Sequence, residues 1–279
     1  MDERRRRAWA ALGIGPAWML RDPAVGDPAD GGEGAEPAVK AESVVAAESE
    51  GAALAAPAAP VASPESHAAA SHVLVARSRA VSAERDPVIA GLDWTGLAEA
   101  VSGCEACGLC KGRRNTVFGT GPRSAPWMLV GEAPGQHEDL SGEPFVGDAG
   151  MLLDQMLLSI GVDRPSEAFI ANVMKCRPPA NRDPVPDEVA RCEPYLLRQV
   201  ELLRPRLIVV LGRFAAQSLL RTDATVASLR GRVHAYRAGG RDVPMVVTYH
   251  PAYLLRNLPD KAKAWTDLRL ARRTFDTLE

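Results

Sequence analysis

Residues 131–147 read GEAPGQHEDLSGEPFVG, and the rest of the chain is best understood from this stretch. An apolar run, Trp127 to Val130, precedes it, and a segment with apolar residues every three or four positions begins at Asp148. The order is therefore strand, glycine-rich acidic loop and helix. Because ligands in open α/β sheets bind beyond the carboxyl ends of the strands, we interpret the loop as one wall of a pocket. A solvated turn between strand and helix is the simpler alternative.

Strand-like and helix-like segments alternate after this loop. Residues 207–212, LIVVLG, form a continuous apolar run, which is typical of a strand buried on both faces. The alternation predicts an α/β fold whose parallel sheet is covered by helices on both faces. The other predicted strands are residues 127–130, 168–174, 232–236 and 244–248. The predicted helices are residues 92–101, 149–160, 187–203, 213–220 and a terminal helix from about Lys261.

The first 90 residues have a different composition. Residues 1–21 are predicted to form a short amphipathic helix with Trp9, Leu12 and Trp18 as apolar anchors. Residues 22–90 are rich in Ala, Pro, Glu and Ser without a period, so we expect a disordered, flexible linker. A tethered aromatic helix suggests a peptide that docks on a replication or repair protein. A terminus without a role is the alternative, and the folded domain is predicted over residues 91–279.

Composition limits where the chain acts. No apolar run approaches the roughly 20 residues that a membrane span requires. The arginines at positions 4–7 and the apolar residues after them superficially resemble a signal peptide, but Gly13, Gly15 and Pro16 interrupt the pattern. Five cysteines clustered around a CxxC pair indicate an intracellular metal site rather than a disulfide framework. We therefore expect a cytoplasmic protein.

The four cysteines that suit a metal centre come in two pairs. Cys104 and Cys107 form CxxC, and Cys176 and Cys192 are separated by fifteen residues. Four thiolates from two loops can enclose a tetrahedral zinc ion or a four-iron cluster, and the spacing does not choose between them. Cys110 extends the first pair to CxxCxxC and leaves one cysteine spare.

Polar residues follow two other predicted strands. Asn172 lies near the end of the strand over 168–174, and His250 follows the strand over 244–248. The acidic loop, an amide and a histidine at one edge of the sheet would form a site for polar recognition and charge stabilisation. A role for either residue in satisfying a backbone group or a turn is the alternative.

Three motifs occur in order along the chain: GEAPGQHEDLSGEPFVGDAG from residue 131, NVMKCRPP from residue 172 and HPAYLLR from residue 250. Together they resemble the family 4 uracil-DNA glycosylases, and the likeness covers roughly residues 100–275. The resemblance implies a three-layer α/β/α sandwich with a four-stranded parallel sheet. It also implies a [4Fe-4S] cluster held by Cys104, Cys107, Cys176 and Cys192. The implied activity is hydrolysis of the N-glycosidic bond of uracil in DNA, which leaves an abasic site for base excision repair.

The resemblance also implies roles at the strand ends. Phe145 would stack on a uracil flipped out of the duplex. Asn172 would pair with the O4 and N3–H edge, where cytosine presents the opposite donor and acceptor. His250 would donate a hydrogen bond to O2 as negative charge builds on the leaving base. Contacts to the base and the attacking water are expected from Gly131, Glu132, Ala133 and Gly135.

The carboxylate that prepares the attacking water is not identified by the motifs. Many members of the wider superfamily have an aspartate one position after Glu132, where this chain has Ala133. Glu132 and Glu138 are the candidates, and Glu138 would alternatively crowd the C5 position and exclude thymine. No catalytic divalent metal is expected, since leaving-group stabilisation can supply much of the rate.

The expected partner is uracil-containing DNA, bound by a monomer. Leu254 and Leu255 would fill the gap left by the flipped base, with Arg256 beside them; burial in the core is the alternative for the leucines. Basic residues beside the cysteines are expected to meet phosphates. These are Arg113, Arg114, Lys175, Arg177 and Arg182.

Two other functions use the same residues. The chain could be a non-catalytic iron–sulfur module that binds DNA. It could also be a nuclease that holds magnesium between carboxylates of the acidic loop and the helix after it. The carboxylates in question are those of Glu132, Glu138, Asp139 and Asp148.

Overall fold

The computed structural model describes residues 85–278. Residues 85–91 are helical, with Ile89 buried, so the folded part extends into the region predicted as linker up to residue 90. The predicted helix over residues 1–21 lies outside the described residues. The helices are α1 (Trp94–Ser102), α2 (Gln136–Ser141), α3 (Gly147–Ser159), α4 (Arg164–Glu167), α5 (Pro186–Leu203), α6 (Arg213–Leu220), α7 (Val226–Leu229), α8 (Pro251–Arg256) and α9 (Lys261–Asp276). The strands are β1 (Trp127–Gly131), β2 (Ala168–Asn172), β3 (Leu207–Leu211), β4 (Val233–Ala238) and β5 (Arg241–Thr248).

The five strands form one sheet in the order β2-β1-β3-β5-β4. The first four are parallel to one another, which agrees with the predicted four-stranded parallel sheet. The difference is β4, which adds an antiparallel edge strand through a hairpin with β5. Gly239 and Gly240 make the turn, with φ of 55° and 78°. A two-residue hairpin of type I′ requires positive φ at both positions, and glycine adopts it without strain.

Two hydrophobic cores lie on opposite faces of the sheet, because successive side chains of each strand point to opposite sides. In β1, Met128 and Val130 join one core with α1, α5 and α6. Trp127 and Leu129 join the other core with α3 and α9. All residues of β1, β2 and β3 are buried, as expected for parallel strands between two helical layers. The predicted three-layer α/β/α architecture is confirmed.

Within residues 85–278, no helix is both long enough and apolar enough to cross a membrane.

Candidate active site

The carboxyl ends of the parallel strands open into one cleft of about 800 Å³. Gly131 at the end of β1 pairs in register with Asn172 at the end of β2. Gly212 follows β3, and His250 follows β5 by two residues. The topology therefore brings the acidic loop, Asn172 and His250 together, as the order of strands predicted. The lining includes Glu132, Ala133, Gly135, Glu138, Phe145, Asn172, Arg213, Tyr249, His250, Tyr253 and Arg256.

Gly131 gives two other residues the space to meet. A Cβ atom at this position would lie 2.3 Å from Oδ1 of Asn172 and 2.7 Å from the ring of Phe145. Neither distance is compatible with a side chain, so only glycine allows the amide and the aromatic ring to approach the end of β1 together. Asn172 is 2% exposed, which makes its amide a buried polar group that faces the cleft.

Phe145 and His250 lie against each other in the cleft. Their ring centroids are 5.3 Å apart and the rings are inclined by 27°. Phe145 is buried, and its φ of 55° lies in the left-handed region that residues with a side chain rarely adopt. Strained conformations of this kind are concentrated at binding and catalytic sites.

The protonation of His250 is fixed by its position before α8. Its Nδ1 accepts a hydrogen bond from the main-chain N–H of Ala252 at 3.1 Å. Desolvation of the ring and the nearby charge of Arg256 lower its pKa to about 4. The ring is therefore neutral at physiological pH, with its proton on Nε2. It can act as a hydrogen-bond donor without carrying a charge.

Glu132 is the acid of the loop that lies nearest the end of β3. Its Oε1 accepts a hydrogen bond from the main-chain N–H of Phe214 at 2.8 Å. A Cβ atom at Gly212, whose φ is +100°, would lie 2.6 Å from the same oxygen. Desolvation raises the pKa of the Glu132 carboxyl above its ordinary value. The carboxylate is thus held at the edge of the cleft by one oxygen.

Glu138 is engaged in holding the loop. Its Oε2 accepts from the main-chain N–H of Gly135 at 2.9 Å, and its Oε1 accepts from that of Val146 at 3.1 Å. Both oxygens therefore satisfy backbone donors at the two ends of the segment between β1 and α3. This arrangement favours Glu132 over Glu138 as the acid free to contact a water.

Asp139, another acid of the loop, is bound to main-chain donors. Oδ1 of Asp139 accepts from the main-chain N–H groups of Arg114 and Asn115, at 2.8 and 3.3 Å. Among residues 85–278, no three His, Cys, Asp or Glu side chains are grouped so that they could hold one metal ion.

A second pocket, lined by cysteines, lies next to the segment that follows β2. Cys104, Cys107, Cys176 and Cys192 line one small pocket, and Cys110 is not part of its lining. All five are free thiols. Burial raises the pKa of Cys107 and Cys176, and that of Cys192 to about 12. Because burial disfavours the charged form, a thiolate in this pocket requires hydrogen-bond donors or positive charge nearby.

Hydrogen-bond donors surround these sulfurs. Nη1 of Arg113 donates to Sγ of Cys176 at 3.3 Å and to the carbonyl of Cys104 at 2.7 Å. The main-chain N–H of Lys175 donates to Sγ of Cys192 at 3.2 Å. Four sulfurs thus line one pocket, and hydrogen-bond donors contact those of Cys176 and Cys192.

The comparisons with known proteins identify the family. Residues 118–269 match the model of the uracil DNA glycosylase superfamily. A type-4 uracil-DNA glycosylase of Archaeoglobus fulgidus is 47% identical over 163 residues, which cover 57% of this chain and 81% of the relative. The chain belongs to the type-4 uracil-DNA glycosylases.

Other members of the type-4 family match a similar part of the chain. The protein of Pyrobaculum aerophilum is 41% identical over 183 residues, covering 64% of this chain and 93% of the relative. The protein of Saccharolobus solfataricus is 39% identical over 186 residues, covering 65% of this chain and 86% of the relative. The resemblance inferred from the three motifs is confirmed.

The two leucines expected on the DNA face of this type-4 protein differ in exposure. Leu254 is fully buried in the core beside α9, so it does not reach DNA in this structure. Leu255 is 41% exposed, and Arg256 is exposed beside it at the rim of the cleft. A six-residue helix turns neighbouring side chains in different directions, which is why only one leucine of the pair faces solvent.

The expectation that Lys175 meets phosphate is wrong, because its side chain is 1% exposed. Nζ donates to Oε1 of Gln199 at 2.6 Å and to the carbonyls of Asn172 and Phe118, at 2.9 and 3.3 Å. Burial lowers its pKa to about 8. Lys175 therefore ties the end of β2 to α5.

The other basic residues expected at phosphates fall into two groups, those whose side chains are bound within the protein and those that could still contact DNA. Arg113 is bound to Cys104 and Cys176, as described above, and Arg182 donates to both carboxylate oxygens of Glu188, at 2.9 and 2.7 Å. Arg114 is exposed, and Nε of Arg177 donates to Oδ1 of Asn181 at 2.7 Å. Phosphate contacts remain a prediction for Arg114 and Arg177.

Sequence reasoning missed several residues around the cleft of this type-4 protein. The rings of Tyr249 and Tyr253 stack with centroids 5.1 Å apart, and both line the cleft. Arg213 forms an exposed ion pair with Asp183 at 2.7 Å, and both residues also line the cleft. The two tyrosines could have been predicted to line the cleft, because they lie close to His250 in the sequence. The ion pair could not have been predicted, because its partners are 30 residues apart in the sequence.

Proposed function

We propose that the chain hydrolyses the N-glycosidic bond of uracil in DNA and leaves an abasic site, the first step of base excision repair. Members of the type-4 family are uracil-DNA glycosylases, and this chain is accordingly an enzyme, a hydrolase of N-glycosyl bonds. The observation that carries the mechanism is the convergence of Phe145, Asn172 and a neutral His250 on one cleft. A base inside a duplex is out of reach of such a cleft, so the uracil must be flipped into it.

Base selection rests on Phe145 and Asn172. The phenylalanine ring stacks on either pyrimidine and does not discriminate. Oδ1 of Asn172 accepts from N3–H of uracil, and its Nδ2–H donates to O4. Cytosine has an acceptor at N3 and a donor at C4, so an amide held in this orientation would be left unpaired. Such a mismatch typically costs about 1–3 kcal/mol for each group.

Bond cleavage rests on leaving-group stabilisation by His250. As the C1′–N1 bond breaks, its electron pair leaves with the base, and the Nε2–H of His250 donates to O2 of the resulting uracil anion. A preorganised donor in a poorly hydrated site stabilises developing charge more than water does. The donor role requires the neutral tautomer that the Ala252 N–H enforces.

Glu132 orients the attacking water in this mechanism. The water oxygen bonds to C1′ of the sugar, and one of its protons passes to the uracil anion, which leaves as neutral uracil. The support for Glu132 is its position at the cleft with a raised pKa, whereas both oxygens of Glu138 accept main-chain N–H groups. Gly131, Ala133 and Gly135 contribute backbone close to the base and the water, and catalysis requires no divalent metal.

The four cysteines would hold a [4Fe-4S] cluster. The ligands would be Cys104, Cys107, Cys176 and Cys192, with Cys110 outside the set, in line with the lining of the pocket that they share. The cluster would serve structure, by fixing the loop of Cys104 and Cys107 to β2 and α5. Formation of such a cluster from reduced thiols suits the cytoplasm.

The DNA face of the monomer combines Leu255 and Arg256 next to the cleft, with the leucine filling the gap in the base stack.

Residues 1–21 would dock on a replication or repair protein through a linker. Deletion of residues 1–84 should therefore leave excision on short oligonucleotides unchanged. Loss of excision on deletion would show instead that the extension is part of the catalytic unit.

The test is release of uracil by the purified, iron-loaded chain from a duplex with one uracil, detected as alkali-labile abasic sites. Equal rates are expected in chelator and in magnesium. Strand cleavage that stops in chelator would favour a nuclease, and binding without base release would favour a non-catalytic DNA-binding module.

A further inference from the structure

Phe145 has a backbone conformation that its own sequence does not favour. Its φ of 55° is unfavourable for a residue with a side chain, and Phe145 is neither glycine nor asparagine. A residue persists in this region only when its surroundings determine its conformation from several sides. The groups that hold Phe145 therefore also determine where its ring lies in the cleft.

Arg164 is the main group that contacts this backbone. Its Nη2 donates to the carbonyl of Pro144 at 2.9 Å, and Nη1 and Nη2 both donate to the carbonyl of Phe145 at 3.2 Å. Nη1 also forms an ion pair with Asp154 of α3 at 2.7 Å. A guanidinium presents several donors in one rigid plane, so it can bind two successive carbonyls and a carboxylate together.

Two further contacts fix the same segment. A Cβ atom at Gly150 of α3 would lie 1.9 Å from the carbonyl oxygen of Phe145, so the helix approaches the strained peptide more closely than any other residue would allow. The next main-chain N–H, that of Val146, donates to Glu138. The carbonyl of Phe145 and the main-chain N–H that follows it therefore both have hydrogen-bond partners.

We propose that Arg164 is a positioning residue for uracil excision. By binding the carbonyls of Pro144 and Phe145, it holds the Phe145 ring beside His250, where the ring stacks on the flipped base. Asp154 orients the guanidinium. The inference rests on the proposed function, and Arg164 itself does not line the cleft.

The first experiment compares excision by Arg164→Met, Arg164→Lys and the wild type under single-turnover conditions. A displacement of about 1 Å in a positioned group costs up to about 100-fold in rate, so we expect a loss of that order for Arg164→Met. Lysine keeps the charge and one hydrogen bond but cannot bind both carbonyls. Arg164→Lys should therefore recover only part of the rate.

Arg198→Met is the matched control. Its side chain is 21% exposed, as is that of Arg164, and it pairs with one carboxylate, that of Glu201. It donates to one main-chain carbonyl, that of Leu92, whereas Arg164 donates to two. The thermal midpoints of unfolding of the two methionine variants should fall by similar amounts, whereas only Arg164→Met should lose excision rate. Equal rate losses in both variants would overturn the proposal.

A double-mutant cycle separates positioning from general stabilisation. If Arg164 acts through the ring of Phe145, adding Arg164→Met to Phe145→Ala should change the excision rate by less than about twofold, because no ring is left to position. If the two losses multiply, or if Arg164→Met excises uracil at the wild-type rate, the proposal is wrong. A wild-type chain that releases no uracil would instead contradict the proposed function.

Discussion

Nδ1 of His250 accepts the main-chain N–H of Ala252 at 3.1 Å, and this single contact determines what the histidine can do. With Nδ1 occupied as an acceptor, the neutral ring must carry its proton on Nε2. Desolvation and the charge of Arg256 lower the pKa of the ring to about 4 and so keep it neutral. The same geometry that begins α8 therefore prepares the donor that would stabilise the departing uracil in the proposed mechanism.

The low pKa of His250 predicts a specific dependence of stability on pH. The unfolded chain binds the proton with the ordinary pKa of 6.5, whereas the folded chain binds it only near 4. The contribution of His250 to the free energy of unfolding is therefore complete above pH 6.5 and decreases as the pH falls towards 4, by about 3 kcal/mol.

Chemical denaturation of the wild type and of His250→Asn across this range isolates the effect, because the asparagine variant lacks the titrating ring. The stability difference between the two should shrink as the pH falls from 6.5 to 4. A constant difference would show that the ring titrates normally. The ¹⁵N shifts of the imidazole should report the Nε2–H tautomer at neutral pH.

Substitutions of Glu132 and Glu138 should have different effects on the excision rate and on stability. Glu132→Gln keeps the size of the side chain but loses the charge that orients water, so the excision rate should fall while the unfolding midpoint changes little. It should also remove the acid limb of the pH–rate profile, whose midpoint lies above the ordinary 4.5 because burial raises the pKa of Glu132.

Glu138→Gln should instead lower stability, by about 1 kcal/mol, since it exchanges an acceptor of two main-chain N–H groups for a weaker one. Its acid limb should remain. An unchanged pH–rate profile in Glu132→Gln together with a lost limb in Glu138→Gln would reverse the assignment.

The four-cysteine assignment predicts unequal effects of two serine substitutions. Cys176→Ser removes a sulfur from the shared pocket and should abolish bound iron and visible absorbance and lower the unfolding midpoint. Cys110→Ser should retain iron, because Cys110 lies outside the lining. Iron content and absorbance of the purified variants decide the matter. Iron loss in both would mean that Cys110 replaces Cys107.

Lys175 and Arg256 should respond differently to salt. Lys175→Met removes the buried donor from the carbonyl of Asn172 and from Oε1 of Gln199, whereas the carbonyl of Phe118 still accepts from Nε2 of Gln199. The substitution should cost several kcal/mol of stability. The slope of DNA affinity against salt should not change, since Lys175 cannot release counterions from DNA. Arg256→Ala should reduce that slope by about one and leave stability unchanged. Binding titrations over a range of salt concentrations test both, and a reduced slope in Lys175→Met would contradict its burial.

Much of the fold could be predicted from local sequence patterns, because apolar runs and helical periodicity are properties of neighbouring residues. The predicted helix over residues 149–160 appears as Gly147–Ser159, and the predicted strands at 127–130 and 207–212 appear as β1 and β3. The antiparallel pairing of β4 with β5 was also encoded locally, in the Gly239–Gly240 turn.

The parts of the site that could not be predicted depend on contacts between distant segments. Lys175 is basic and next to a cysteine, and only the acceptors supplied by Phe118 and Gln199 make it a buried residue. Arg164 contacts Phe145 across 19 positions of sequence with no motif to connect them. Asn172 and His250 could be predicted, since the ends of parallel strands meet at one edge of a sheet.

The most direct measurement compares excision of uracil, cytosine and thymine from matched duplexes by the wild type and Asn172→Asp. The wild type should release uracil alone. A protonated aspartate presents a donor to N3 of cytosine, so the variant should lose uracil excision by about 100-fold or more and gain measurable release of cytosine. Uracil excision and selectivity that remain unchanged in Asn172→Asp would contradict reading of the base by this amide, and with it the account of the cleft.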